Sequence, residues 1–281
     1  MFIFDFFIIF TIIIAIFGVV KFKSNFRKLL SLHEILIHVD HQLERPSKHG
    51  TFKYVAIFLI AINFFLMSAD YLVFWRVYSE DWSFWSHYIS RLMCMMILVQ
   101  YGDLVSNIKD RFRCVNAELQ FELANYFRQD ILWTITRHEY DKLPARAFSR
   151  RRVCELFKLF WLTCRCVQLL NETYGGIILA MLLMSSVQLI AIPQYFIIPL
   201  FYTTETVTTF LKLSALCDAL WMCVVACELI VLVVPPALAS VEGNKSAAIV
   251  CQYLNTDTEA SFLQDVRKCI NLFTQIRWEH L

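Results

Sequence analysis

Five long apolar stretches constrain the fold of this chain more than any other feature. They cover residues 2–20, 54–75, 84–105, 174–199 and 210–238. A helix of about 20 apolar residues crosses the hydrocarbon core of a bilayer, so each stretch is long enough to span it. A lone strand in lipid would leave its backbone amides and carbonyls unpaired, so each span must be helical. The sequence therefore predicts an all-α, polytopic membrane protein with five transmembrane helices in a single domain over residues 1–281.

The composition agrees with that class of protein. Of the 281 residues, 58% are hydrophobic and 18% are charged, against about 45–50% and about 25% in soluble domains. This balance excludes a disordered chain and argues against a water-soluble fold. The first stretch is expected to be a retained helix and not a signal peptide, because Asp5 precedes its apolar run and no basic residues do.

The basic residues lie in blocks between the apolar stretches and predict the orientation. Segment 21–53 holds seven Lys and Arg, segment 106–173 holds twelve and the tail 239–281 holds four, whereas segment 200–209 holds none. Thus 23 of the 26 basic residues fall on one side, which the positive-inside rule assigns to the cytosol. We expect a multi-pass protein of the cell membrane with its N-terminus outside. The blocks indicate topology and not nucleic-acid binding.

The long cytosolic segment 106–173 is expected to form two helices that extend the neighbouring spans. Apolar residues recur at helical spacing on both sides of a break near Lys142-Leu143-Pro144. A segment of this length without secondary structure would be unusual. Near the inner end of the fifth stretch, Pro235 and Pro236 are expected to end or kink the helix.

No motif in the chain indicates an enzyme, a cofactor or a metal site. The sequence contains no nucleophile elbow, P-loop, dinucleotide fingerprint or H-E-x-x-H motif. Cys164-x-Cys166 lacks zinc-ribbon spacing and a second pair. A His-rich stretch is better explained as the wet face of an amphipathic cytosolic helix; it comprises His33, His38, His41 and His49. None of the ten cysteines lies in a predicted outer segment, so no structural disulfide is expected.

Three segments resemble the insect gustatory receptor family. Leu169 to Gly176, with the apolar run that follows, resembles the start of the family's fifth helix. Leu36 to Leu43 resembles its Asp-containing helix between the second and third spans, and Leu263 to Ile276 resembles the amphipathic stretch before its last span. The segments occur in the family's order along nearly the whole chain. The resemblance implies that the five spans match the second to sixth helices of a seven-helix fold, with the first and the pore-lining seventh helix missing.

The resemblance also implies a function. Such receptors bind a small tastant among the outer halves of their helices and open a cation pore as tetramers. The chain would then be a gustatory receptor subunit in the lipid bilayer, assembled as a homo- or hetero-oligomer with related receptors. Two other classes stay open: a non-conducting adaptor or decoy subunit, and a secondary transporter, which would usually show internal repeats and paired helix breaks.

Charged residues inside the spans mark the candidate ligand site, because ionisable groups in a membrane are costly and rarely face lipid. Asp70, Arg91 and Asp218 lie about 8, 10 and 12 Å below the outer ends of their spans, at about 1.5 Å per residue. Asp70 is the preferred partner of Arg91, and Glu228 is expected deeper, near the inner interface. Polar and aromatic residues of the same spans complete a mixed pocket suited to a small organic ligand; they are Asn63, Tyr71, His87, Tyr88, Gln188, Gln194, Tyr195 and Trp221. The alternative is that Asp70 and Arg91 pair only to pack the bundle.

Overall fold

The structure, a computed structural model, describes residues 2–43, 52–78, 83–135, 143–193 and 209–254. This part of the chain contains five helices and no strand. They are α1 (Phe2–Gln42), α2 (Phe52–Tyr78), α3 (Ser83–Ile135), α4 (Leu143–Ile192) and α5 (Thr209–Leu254). The all-α prediction is confirmed.

Each helix carries a segment that is long and apolar enough to cross a membrane. The five segments are Ile9–Gln42, Phe52–Ala69, Tyr88–Asn125, Arg151–Ala191 and Leu216–Ser246. Large apolar side chains project outward from them, such as Phe64 at 66% and Leu179 at 68% exposure. Apolar surface on this scale suits contact with lipid, since water would disfavour it. Five helices that are long and apolar enough to span a membrane are therefore confirmed in the described part of the chain.

Four of the helices are much longer than a bilayer requires. As expected, α3 continues to Ile135 and a separate helix, α4, begins at Leu143. Pro144 then falls in the first turn of α4, where a missing backbone N–H costs no helical hydrogen bond. The His-rich stretch is helical as far as Gln42. The expected amphipathic tail, Leu263 to Ile276, lies outside the described residues.

The two prolines of the fifth span lie inside a helix. Pro235 and Pro236 belong to α5, which continues to Leu254, so they do not end the helix; the alternative, a kink, stays a prediction. Neither proline can donate the backbone bond that Val231 and Leu232 carbonyls would otherwise accept. Helix formation on both sides outweighs these two lost bonds.

The described helices divide into two compact units. The first unit comprises residues 1–30, 48–106 and 170–236. Its helices approach closely at glycines: a Cβ at Gly102 would lie 2.2 Å from Cζ of Phe52, and one at Gly18 would lie 2.6 Å from Cδ1 of Ile97. Tyr101 and Tyr174 pack with ring centroids 5.8 Å apart. These contacts join α1, α2 and α4 to α3.

The second unit comprises residues 31–47, 107–169 and 237–281. Its apolar core is built by α1, the adjoining Leu43, α3 and α4. The buried residues are Val39, Leu43, Val115, Leu119, Leu123, Val153, Leu156 and Leu159. Arg111 donates through Nη2 to the Asp40 carboxylate, which joins α3 to α1. Asn116 donates to the Glu242 carbonyl at 2.7 Å and accepts from the Ser246 hydroxyl, which joins α3 to α5. These polar pairs join α3 to α1 and to α5 at particular residues, which apolar packing alone does not specify.

Candidate functional site

A buried ion pair between two helices lies at the centre of the candidate site, within the first unit. Arg91 of α3 is 8% exposed, and its Nη2 lies 3.3 Å from Oε1 of Glu228 on α5. The Arg91 guanidinium carbon also lies 4.4 Å from the ring centroid of Trp221. Trp221 and Glu228 are seven residues apart and so share one face of α5. The guanidinium therefore has two partners on α5, a carboxylate and an indole ring.

Asn63 of α2 lies beside this pair. Its side chain is fully buried, and its Nδ2 donates to the Leu59 carbonyl at 3.0 Å and approaches Sδ of Met95 at 3.7 Å. Met95 in turn lines the same cavity as Arg91 and Glu228. Helix α2 thus contributes a polar group to a region that α3 and α5 supply with charge.

A small cavity borders the ion pair, also within the first unit. Its volume is about 30 Å³, enough for about two water molecules. The lining residues come from α1, α3, α4 and α5: Thr11, Ile14, Arg91, Cys94, Met95, Met181, Met184, Ser185, Gln188 and Glu228. The cavity therefore combines one charge pair with neutral polar groups and a sulfur-rich apolar wall.

Helix α4 contributes its part of the lining from a single face. Met181, Met184, Ser185 and Gln188 follow the spacing of residues three, four and seven apart that aligns side chains on a helix. The hydroxyl of the adjacent Ser186 bonds to the Leu182 carbonyl and is exposed. Ser185 thus lines the cavity, whereas its neighbour in the chain, Ser186, faces outward.

The chemistry that the cavity can offer follows from the side chains that line it. Among the described residues, no three His, Cys, Asp or Glu side chains are grouped to hold a metal ion. The charges of Arg91 and Glu228 compensate each other, and Ser185 and Gln188 offer neutral donors and acceptors. The arrangement can recognise a small polar group held among apolar side chains.

The structure brings four of the predicted site residues together. Arg91 and Gln188 line the cavity, while Asn63 and Trp221 contact its walls. Tyr88 is buried three residues before Arg91. Tyr71 and Asp218 are half-buried, and each makes a contact of its own.

Four other predicted residues cannot be compared with the cavity. Asp70 belongs to α2 and His87 to α3, but their side chains lie outside the described part of the structure, as do Gln194 and Tyr195. Pairing of Asp70 with Arg91 therefore stays a prediction. The charged partner that the structure does give Arg91 is Glu228.

The nearness of Glu228 to the inner interface stays a prediction. The difference in depth that the sequence indicated between Glu228 and Arg91 is not found, because the two side chains meet. That difference rested on counting residues from the start of each span, as if all spans began at one level. Arg91 lies about 12 Å along α3 and Glu228 about 28 Å along α5, at about 1.5 Å per residue. Because their side chains meet, the two helices begin at different levels, and the reach of the long side chains covers part of the difference.

Several lining residues were not predicted from the sequence. Thr11, Cys94, Met95 and the α4 residues before Gln188 resemble ordinary core positions when each span is considered separately. On α4, helical spacing from Gln188 would have indicated Met181, Met184 and Ser185, because they share its face of the helix. No comparable pattern distinguishes Thr11 on the strongly apolar α1.

Fold and site together define a multi-pass helical membrane protein with a buried polar cavity between its spans. A model of the 7tm chemosensory receptor family matches residues 1–275. The chain therefore belongs to the 7tm chemosensory receptor family, which is a family of receptors and not of enzymes. No curated protein matches the chain. The resemblance to insect chemoreceptors is confirmed at the level of this family.

Proposed function

We propose that this protein is a gustatory receptor subunit. It binds a small tastant at the cavity of the first unit and contributes to a ligand-gated cation channel, assembled as a tetramer with itself or with related receptors. Membership of the chemosensory receptor family supports the receptor role. The taste modality and the channel rest on the sequence resemblance to gustatory receptors.

The observation that carries the proposal is a buried charge pair that borders a cavity. Arg91 and Glu228 are each about nine-tenths buried inside helices that cross the membrane. If the pair served packing alone, apolar side chains would be expected to fill the space around it. Instead the pair shares a cavity with Ser185 and Gln188. Charged groups in membrane spans commonly mark functional interiors.

Ligand binding at this site requires the cavity to enlarge. Its volume of about 30 Å³ is far below the roughly 300 Å³ of a pocket that encloses a drug-sized molecule. Met95, Met181 and Met184 line it, and unbranched methionine side chains repack at low cost. A ligand that binds the enlarged form better than the closed form shifts the population towards it. This shift is the step that we assign to receptor activation.

The test is to record current from cells that express the chain alone and with full-length relatives, during application of a tastant panel. The informative variant is Gln188→Leu, which removes a polar lining group at similar volume. The matched control is Gln168→Leu on the same helix, where the glutamine is exposed and hydrogen-bonded to Arg165. We expect Gln188→Leu to weaken the response about tenfold at equal surface level and Gln168→Leu to preserve it.

Other outcomes separate the remaining functional classes. Tastant binding without current in any combination would contradict the channel and favour an adaptor or decoy subunit. Tastant uptake that saturates with concentration would favour a transporter. Absence of both binding and current would contradict the receptor proposal itself.

A further inference from the structure

The cavity carries an unsatisfied hydrogen-bond donor that the proposed function leaves unexplained. Nε of Arg91 is buried and has no hydrogen-bond partner among the residues that the structure describes. Leaving such a group unpaired costs about 1–3 kcal/mol, and more when the group is charged. Buried polar groups of this kind are usually satisfied by bound water, an ion or a ligand. Arg91 is also a lining residue of the cavity, so the unsatisfied donor belongs to a side chain that borders it.

The charge of the site restricts what that group can be. Arg91 and Glu228 already form a neutral pair, and Trp221 stacks on the guanidinium. A ligand carboxylate would add a second negative charge beside Glu228, and a ligand ammonium would add a second positive charge beside Arg91. An uncompensated buried charge is strongly unfavourable. The site therefore selects a neutral group.

The size and polarity of the cavity restrict the group further. The bound group has to accept a hydrogen bond from a donor such as Arg91 Nε. A second hydrogen bond, donated to an acceptor such as the Glu228 carboxylate, would stabilise it further. A hydroxyl does both with a single oxygen atom, and it fits a volume of about 30 Å³. The remaining wall contains Ile14, Met95, Met181 and Met184, which favour an apolar body next to that hydroxyl.

We propose that the cavity binds the hydroxyl group of a neutral alcohol or phenol whose remaining body is apolar. The inference rests on the proposed function, because it names the chemical class of ligand for the same site. Ser185 and Gln188 complete the polar wall, and both are buried. The hydroxyl takes the place of water, and the methionines move to admit the apolar body.

The test measures binding to the purified 281-residue chain in lipid nanodiscs by calorimetry, so that it does not depend on channel opening. Four probes differ only in the group on one ring: benzyl alcohol, toluene, benzoate and benzylamine. At neutral pH, we expect benzyl alcohol to bind at least tenfold more tightly than the other three. Equal or tighter binding of benzoate or benzylamine would overturn the proposal, and so would equal binding of toluene.

Variants test whether the alcohol binds at this cavity. Because partition of the probe into lipid is the same for every variant, a difference in affinity between variants reports binding to the protein. Ser185→Ala and Gln188→Leu leave the ion pair in place, so folding is expected to be preserved. Each has a matched control on α4, Ser186→Ala and Gln168→Leu, with the side chain outside the cavity. We expect a loss of about tenfold in benzyl alcohol affinity for the first two and none for the controls. Equal affinities in all four variants would place the alcohol elsewhere and overturn the assignment.

The failure of this inference and of the proposed function are distinguishable. If a charged tastant binds at the cavity and evokes current, the proposed ligand class is overturned and the receptor role stays intact. If none of the four probes binds, the ligand class is also wrong, while the current recordings decide the receptor role independently.

Discussion

At the scale of single residues, Arg91 shows how a membrane protein keeps a cation inside its bundle. A carboxylate and an indole contact the guanidinium, and the aromatic contact alone is worth up to about 2 kcal/mol when desolvated. Removing one member of a buried ion pair leaves the other uncompensated, whereas replacing both by neutral groups is often tolerated. The two charges should therefore behave as one energetic unit.

Single and double substitutions test this coupling. Arg91→Gln and Glu228→Gln should each lower the free energy of unfolding by about 3–5 kcal/mol, and the double variant should recover most of the loss. The measurements are surface level in cells and thermal unfolding in detergent. Additive losses in the double variant would show that Arg91 and Glu228 are not coupled.

The exposed pair of Lys28 and Glu172 is the matched control within the first unit. Its atoms lie 2.7 Å apart, but the side chains are 45% and 37% exposed. Exposed pairs are worth about 0–1 kcal/mol. Lys28→Gln and Glu172→Gln should therefore change the unfolding free energy little, singly or together.

At the scale of elements, the sequence predicted the helices better than their contacts. Apolar length and helical spacing within a stretch identified all five helices, with α3 and α4 as separate elements. These properties depend on neighbours along the chain, which the sequence displays. The partner of Arg91 depends on the relative levels at which α3 and α5 begin. The sequence of neither helix, taken by itself, indicates those levels. Gln188 and Trp221 could be predicted as candidates because a polar or amphipathic side chain is unusual in an apolar span. Thr11 and the methionines resemble ordinary core residues and gave no such signal.

Two glycines test how closely the helices of each unit pack. Gly102→Ala would place a Cβ 2.2 Å from the Phe52 ring, whereas Gly243→Ala would meet Phe112 only at ordinary contact distance, 3.7 Å. Both changes gain up to about 1 kcal/mol in helix propensity, but overpacking at Gly102 should cost about 1–3 kcal/mol. Thermal unfolding should thus show Gly102→Ala to be less stable than Gly243→Ala. Phe52→Leu in the Gly102→Ala background should recover part of the loss; the opposite order would contradict this packing.

One buried hydroxyl contributes to the contact between α3 and α5 in the second unit. Ser246 is 4% exposed and donates to Oδ1 of Asn116. Ser246→Ala leaves that oxygen without its donor and should lower the unfolding free energy by about 1–3 kcal/mol. Ser240→Ala, at an exposed position of the same helix, should have almost no effect. Equal unfolding temperatures for the two variants would show that the hydrogen bond contributes nothing to stability.

At the scale of the whole molecule, charge rather than packing decides which side of the membrane each segment faces. The described contacts hold equally well in either orientation, because hydrogen bonds and apolar packing do not depend on the direction of insertion. The distribution of 23 of 26 basic residues does depend on it. It supports a cytosolic location for segments 21–53 and 106–173, and hence access of a tastant from the outer ends of the spans.

Cysteine labelling tests this orientation directly. None of the ten native cysteines lies in a predicted outer segment, so a membrane-impermeant maleimide should not label the unmodified chain on intact cells. Thr204→Cys, in the segment without basic residues, should be labelled at once. Ser47→Cys, in a basic segment, should be labelled only after the membrane is permeabilised. Both positions lie outside the described residues, so the expectation follows from charge alone. Labelling of Ser47→Cys but not of Thr204→Cys on intact cells would reverse the orientation, and a ligand entering from outside would then approach the cavity from the opposite ends of the helices.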